Sequence, residues 1–221
     1  MACLRNDAAT VQRKLATRSL HDTRGVHGSM PLHAASRKGV AVMEILIARG
    51  ANVHSTDDNG LTALYCAAFG NNGAGINLLL ENGADASART KWLGSTALDI
   101  ACRGGSQDSA NSLIQWGAHC TSFGHGVMTP LHHAAKCGHL AVVQLLTDAG
   151  SDVFAVNEYG ESPEQIAAAN QCPETAAFLQ QIAARQEKYW AFAMGNQPRL
   201  GENSMVCQLD AGVVTMIGGL L

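Results

Sequence analysis

Thr129-Pro130-Leu131-His132-His133-Ala134-Ala135-Lys136-Cys137-Gly138-His139-Leu140 decides the fold, because the chain writes this line more than once. Versions of it stand at Met30-Pro31-Leu32-His33-Ala34-Ala35, Thr62-Ala63-Leu64-Tyr65-Cys66-Ala67-Ala68, Thr96-Ala97-Leu98-Asp99-Ile100-Ala101-Cys102 and Ser162-Pro163-Glu164-Gln165-Ile166-Ala167-Ala168. Their second residues, Pro31, Ala63, Ala97, Pro130 and Pro163, lie 32, 34, 33 and 33 apart. A second marker keeps the beat: Gly50-Ala51, Gly83-Ala84, Gly117-Ala118 and Gly150-Ser151, at steps of 33, 34 and 33. Self-similarity at such a period points to a stacked array of small units rather than one globular core.

Each unit reads as turn, helix, tight turn, helix, loop. Thr129 suits an N-cap, since its hydroxyl can accept from an unpaired helix N–H. Pro130 follows at the first helical position, where a missing N–H is no loss and the fixed φ matches the helix. The Ala-Ala pair lets this inner helix sit close to its neighbours. Gly138, with Gly39 and Gly105 at the matching place, is expected to reverse the chain with φ > 0. The outer helix shows an apolar stripe in Leu140, Val142, Val143, Leu145 and Leu146, and again in Leu78, Leu79 and Leu80. No unit can bury such a stripe alone, so neighbours must stack, with capping units at the ends.

A near-33 period carrying T-P-L-H-x-A resembles the ankyrin repeat. The resemblance implies an all-α solenoid of helix–turn–helix units with projecting β-turn fingers. On this reading 2–24 is a degenerate N-terminal capping unit, with Ala8, Val11 and Leu15 at helical spacing. Four fuller units follow at 25–57, 58–90, 91–123 and 124–156, then a C-terminal capping unit with an extended helix at 157–190. Residues 191–221 carry no repeat features and are expected to have low order. The second of the full units departs from the pattern at Phe69-Gly70-Asn71-Asn72-Gly73-Ala74-Gly75. Each helical glycine there weakens the helix by about 1 kcal/mol relative to alanine, so this unit is expected to be locally the softest.

The chain has 221 residues, 47% of them hydrophobic, and no run reaches the roughly 18 uncharged apolar residues of a membrane span. The N-terminus lacks a secretory pattern, with Arg5, Asp7, Arg13 and Lys14 interrupting any apolar stretch. Seven cysteines without paired spacing point to a reducing compartment, cytosol or nucleus. Net charge is −3 but unevenly spread, with eight Lys/Arg against three Asp/Glu in residues 1–50. That is too mild and mixed for a nucleic-acid footprint.

His33 and His132 occupy the histidine slot of the motif, where the resemblance implies an inter-repeat hydrogen-bond role. Tyr65 and Asp99 take the same slot, and a catalytic group would not tolerate that exchange. His132, His133, Cys137 and His139, with Cys120 and His125 upstream, form a His/Cys cluster. Their spacings do not match the paired C-x₂₋₄-C and H-x₃₋₅-H of zinc sites, and His132 and His139 are repeat letters that need no metal. No nucleophile, Walker, H-E-x-x-H or dinucleotide fingerprint is present. A non-enzyme without cofactor or metal is expected.

The positions the repeat leaves unspecified are the candidate binding residues: Arg37, Lys38, Asp58, Asn59, Phe69, Trp92, Leu93, Arg103, His125, Met128, Lys136 and Tyr159. Arg37, Lys38, Arg103 and Lys136 fall at equivalent inner-helix ends and form a basic row, interrupted at Phe69-Gly70. Trp92, Leu93, Phe123, Met128 and Tyr159 fall at finger tips. Aromatics, Met and Arg are enriched at interface cores and hot spots. The expected function is a monomeric adaptor or scaffold binding another protein through an acidic plus apolar segment, with neither nucleic acid nor membrane as partner. The alternatives are a substrate-receptor subunit of a ubiquitin ligase, or the repeat portion of a larger or alternatively ended protein. Against the former, Met205-Val206-Cys207-Gln208-Leu209 is only a fragment of the C-terminal box such receptors carry.

Overall fold

The computed structural model describes residue 25 and residues 28–120 and 128–195. The expected capping unit at 2–24, His125 and Phe123, and the tail from 196 lie outside these. Five short inner helices, α1 (Pro31–Ser36), α3 (Ala63–Phe69), α5 (Ala97–Arg103), α7 (Pro130–Lys136) and α9 (Pro163–Ala169), alternate with outer helices. The outer set is α2 (Val40–Ala48), α4 (Gly73–Glu81), α6 (Gln107–Gln115), α8 (Leu140–Asp148) and the long α10 (Pro173–Gly195). Each inner helix packs on the next inner helix and on its own outer helix, and successive outer helices pack in a second row. Among the described residues, β pairing is limited to an isolated bridge between Thr56 and Thr62.

The motif letters explain this stacking. Leu32, Leu64, Leu98 and Leu131, at the second helical position, are all fully buried. So are Ala35, Ala67, Ala101, Ala134 and Ala167, three residues further on, where a larger side chain would push the inner helices apart. On the outer helices Leu46, Leu79, Leu113 and Leu146 hold equivalent buried positions. Burying each such leucine stabilises the array by roughly 1.5–3 kcal/mol, gained only between neighbours.

The helix starts follow their caps. The side chains of Thr62, Thr96, Thr129 and Ser162 accept from the backbone N–H groups of Tyr65, Asp99, His132 and Gln165 respectively. The outer helices stop at Gly50, Gly83, Gly117 and Gly150, whose φ values are 85°, 84°, 82° and 85°. In each case the next residue's N–H reaches back to the buried leucine carbonyl, as in Ala84 N–H to Leu79 O at 2.9 Å. This pairing closes the helix end and needs a residue that tolerates φ > 0.

The irregular steps also have structural causes. The left-handed turn residue after the inner helix is Asn71 (φ 51°), Gly105 (68°), Gly138 (68°) or Gln171 (60°). Gly39 is not one of them. The first turn is one residue shorter, and Gly39, with φ −123°, is already the N-cap of α2. That missing residue makes the 32-residue step. The 34-residue step arises in a finger: Asp57 N–H pairs with Leu61 O and Asn157 N–H with Glu161 O, but Thr90 N–H pairs with Ser95 O, one residue further.

Asn72 ties the glycine-rich start of α4 to α1. Asn72 Oδ1 accepts from Gly75 N–H at 3.0 Å while its Nδ2 donates to Ser36 O on α1 at 2.9 Å. A Cβ on Gly75 would strike the Asn72 amide, and one on Gly70 would strike the Arg37 carbonyl. Gly75 thus permits a close approach to the Asn72 amide within its own unit, and Gly70 a close approach to the preceding unit.

Candidate protein-binding surface

The surface begins with the histidine slot, which sets the spacing of the fingers. His33 Nδ1 accepts from Met30 N–H at 3.1 Å, leaving Nε2 to donate to Leu61 O of the next unit at 2.9 Å. His132 repeats this, with Nδ1 facing Thr129 N–H at 3.2 Å and Nε2 facing Glu161 O at 3.2 Å. Burial lowers both imidazoles below the usual histidine range, so the neutral form that this donor–acceptor pattern needs is the one favoured. These histidines are struts between units, as the slot implies. Asp99 holds the slot differently: Oδ2 accepts from Thr96 N–H at 2.8 Å, while the buried Oδ1 has no hydrogen-bond partner. Burial raises its pKa.

Two of the fingers are built by Asx turns, and in the 90–95 finger the Thr90 hydroxyl accepts from Ser95 N–H instead. Asp57 Oδ1 accepts from Asn59 and Leu61 N–H at 2.9 and 2.8 Å, and Asn157 Oδ1 accepts from Tyr159 and Glu161 N–H at 2.9 Å each. Neighbouring fingers dock on one another. Lys91 N–H donates to Asn59 O at 3.1 Å and Lys91 Nζ to Asp58 O at 3.2 Å. Asp58 and Asn59 are exposed yet partly committed to this docking through their carbonyls. The longer third finger carries Trp92 and Leu93, 77% and 59% exposed, and the last finger carries Tyr159, 77% exposed. Met128 is half-buried.

At the other end of the inner helices, about 10 Å away by the helical rise, stand Arg37, Phe69, Arg103 and Lys136. They occupy the same position in successive units and all are exposed, as is Lys38. Phe69 does not simply interrupt the row: the Arg37 guanidinium lies over its ring, 4.7 Å from the centroid. Between these rows lie Tyr65 and His133, both half-buried and neither at a position that the repeat leaves unspecified. Burial raises the Tyr65 hydroxyl, and the Arg103 charge opposes this. Burial lowers His133, followed by the charges of Arg103 and Lys136. Their signal was their place in the motif, on the inner helix between the finger and the basic end.

His132 has both ring nitrogens engaged, and His139 Nε2 faces Arg103 O at 3.2 Å. Among the described residues no three His, Cys, Asp or Glu side chains gather as metal ligands. The Cys66 thiol is pushed up to about 11, chiefly by burial, and Cys102 is raised the same way. Cys102 belongs to the buried core, and Cys66 is half-buried. No helix among the described residues is long and apolar enough to cross a membrane.

Comparisons with known proteins agree with this architecture. Family models described as ankyrin repeats match residues 1–90 and 32–124 (three copies) and 121–167 (many copies). The human Transient receptor potential cation channel subfamily A member 1 is 26% identical over 164 residues, 70% of this chain and 15% of the channel. Human Ankyrin repeat and SOCS box protein 11 is 36% identical over 106 residues, 48% of this chain and 32% of that protein. Palmitoyltransferase AKR1 of Debaryomyces hansenii is 26% identical over 143 residues, 61% of this chain and 17% of the enzyme. The chain thus spans well under half the length of each of these relatives. Ankyrin repeats are generally non-catalytic modules that mediate contacts between proteins. With such models matching most of the chain, and with stacked helix pairs joined by Asx-turn fingers, the protein belongs to the ankyrin-repeat family.

Proposed function

We propose that the chain is a non-catalytic adaptor or scaffold that holds a partner protein along the inner-helix face and finger tips, with the partner contributing an acidic and apolar segment. The observation that carries this reading is the coincidence of two rows on one face. Arg37, Arg103 and Lys136 repeat at one end of the inner helices, and Trp92, Leu93 and Tyr159 stand exposed at the other. Large exposed aromatics are costly to leave in water and are favoured as anchors, while the cations steer an oppositely charged segment. Glu158 and Glu161 flank Tyr159, so the acidic part of the partner belongs with the helix ends and its apolar part with the fingers. Affinity purification tests this with wild type beside a Trp92→Ala, Arg103→Glu double variant. Partners retained by the first and lost by the second, at an unchanged melting temperature, support it; equal capture overturns it.

The similarity to Ankyrin repeat and SOCS box protein 11 favours a second reading, in which the same face holds the substrate of a ubiquitin ligase. Co-purification of ligase subunits with a longer product of the same gene would distinguish it from a free adaptor. The compartment proposed for either is cytosol or nucleus, with a monomeric chain.

A further inference from the structure

We propose that Arg103, His133 and Lys136 together form a subsite for one carboxylate side chain, aspartate or glutamate, and that occupying it draws a proton onto His133. This deepens the binding-module reading and rests on it.

The geometry comes from the stacking. Arg103 ends α5 and Lys136 ends α7 at equivalent positions, and α5 packs directly on α7. The two ends are tied: His139 Nε2 meets Arg103 O at 3.2 Å, and a Cβ on Gly105 would stand 2.6 Å from the His139 ring. His133 lies three residues before Lys136 on α7, hence on the same face. Its electrostatic neighbours are Arg103 from α5 and Lys136 from its own helix. Tyr65, from α3, feels Arg103 from the other side. Arg103 therefore stands between a phenol and an imidazole, with a second cation close by. Among the described residues neither Arg103 nor Lys136 has a carboxylate partner.

The remaining charged groups near His133 are accounted for. His132 precedes it and is engaged with Thr129 and Glu161 O. Asp99, on α5, turns its Oδ2 to Thr96. The charged residue of α9, Glu164, sits at that helix's N-terminus, while Ile166 and Ala169 occupy the positions matching His133 and Lys136. Asp148 is the charged residue of α8, at its far end. The face left to a ligand is thus doubly positive with a neutral imidazole at its centre. A carboxylate seated there screens both cations and accepts from the imidazole, which favours the protonated ring. By linkage, binding then takes up a proton and tightens as pH falls, with at most about a tenfold gain per pH unit for one proton.

The test uses the full chain and random twelve-residue peptides displayed on phage, selected at pH 7.5 and resynthesised. The expected winners carry Asp or Glu beside apolar residues. They lose about tenfold or more in affinity on the Arg103→Gln, Lys136→Gln variant, and their binding tightens several-fold from pH 7.5 to 6.0 unless His133 is changed to Ala. Without any peptide, the His133 ring titration followed by NMR should move upward toward the ordinary histidine value in the double-Gln variant. Peptides that bind equally to the double-Gln variant, or an unmoved His133 titration, overturn the subsite and leave the binding module intact. Failure to enrich any peptide on the wild-type chain counts against both.

Discussion

The Arg37 guanidinium carbon lies over the Phe69 ring, 4.7 Å from its centroid, joining the same position of two successive units. An aromatic ring thus stands in the row where the second unit lacks a cation, in contact with the cation of the first. Exposed pairs of this kind are worth about 0.5–1 kcal/mol. A double-mutant cycle of Arg37→Met and Phe69→Leu, read by urea unfolding, should return a coupling in that range. A coupling indistinguishable from zero would mean that the ring serves only a partner.

Gly73 and Gly75 share a helix turn and should respond oppositely to alanine. At Gly73 the nearest atoms to an added Cβ are those of Asp108 at 3.6 Å or more, an ordinary contact, so Gly73→Ala should stabilise by up to about 1 kcal/mol. At Gly75 the same methyl strikes the Asn72 amide that bridges to Ser36 O, so Gly75→Ala should destabilise. Denaturant midpoints of the two variants check this, and hydrogen exchange would show whether α4 opens before the other outer helices.

Acid should loosen the struts between units. His33 and His132 have folded-state pKa values below the usual 6.5. The unfolded chain therefore binds more protons, and their contribution to stability is full above about pH 6.5 and is lost as pH falls through the window beneath it. Thermal melts from pH 8 to 5 should show that decline, and a His33→Gln, His132→Gln chain should show a smaller one.

Asp99 has the opposite sign. Its folded-state pKa is raised by burial, so ionisation weakens the fold as pH climbs from about 3.8 through the raised value. The orphaned Oδ1 sits in the slot where His33 and His132 donate to the next unit. Asp99→Asn supplies a donor without a charge and should raise stability at pH 7 by about 1–3 kcal/mol. The gain should fade near pH 4, where the native carboxyl is itself protonated. A stability loss at neutral pH would contradict this account.

Much of the architecture was readable because the repeat letters are local physics. Thr before Pro caps, Ala-Ala permits approach, and Gly-Ala closes the outer helix, so each unit announces itself. The cause of the unequal steps was not readable. A missing turn residue before Gly39 and an extra one in the Trp92 finger alter the period alike, and only backbone geometry separates them. Glycines 70 and 75 read from the sequence only as weak helix formers, because packing sets the groups they approach: the Arg37 carbonyl of the preceding unit, and an Asn72 amide of their own unit anchored on Ser36. Of the candidate surface, exposure at Trp92, Arg103, Lys136 and Tyr159 followed from their unspecified places in the motif. The Arg37–Phe69 stack and the grouping of Tyr65 and His133 around Arg103 depend on side-chain directions across units, which spacing does not encode.

The proposed partner lies along the inner-helix ends and finger tips. Hydrogen exchange of the full chain, free and bound to a selected peptide, measures this directly. Added protection is expected in the turns after α3, α5 and α7 and in the finger at residues 90–95, with outer helices α2, α4, α6 and α8 unchanged. Protection confined to the outer helices would contradict it.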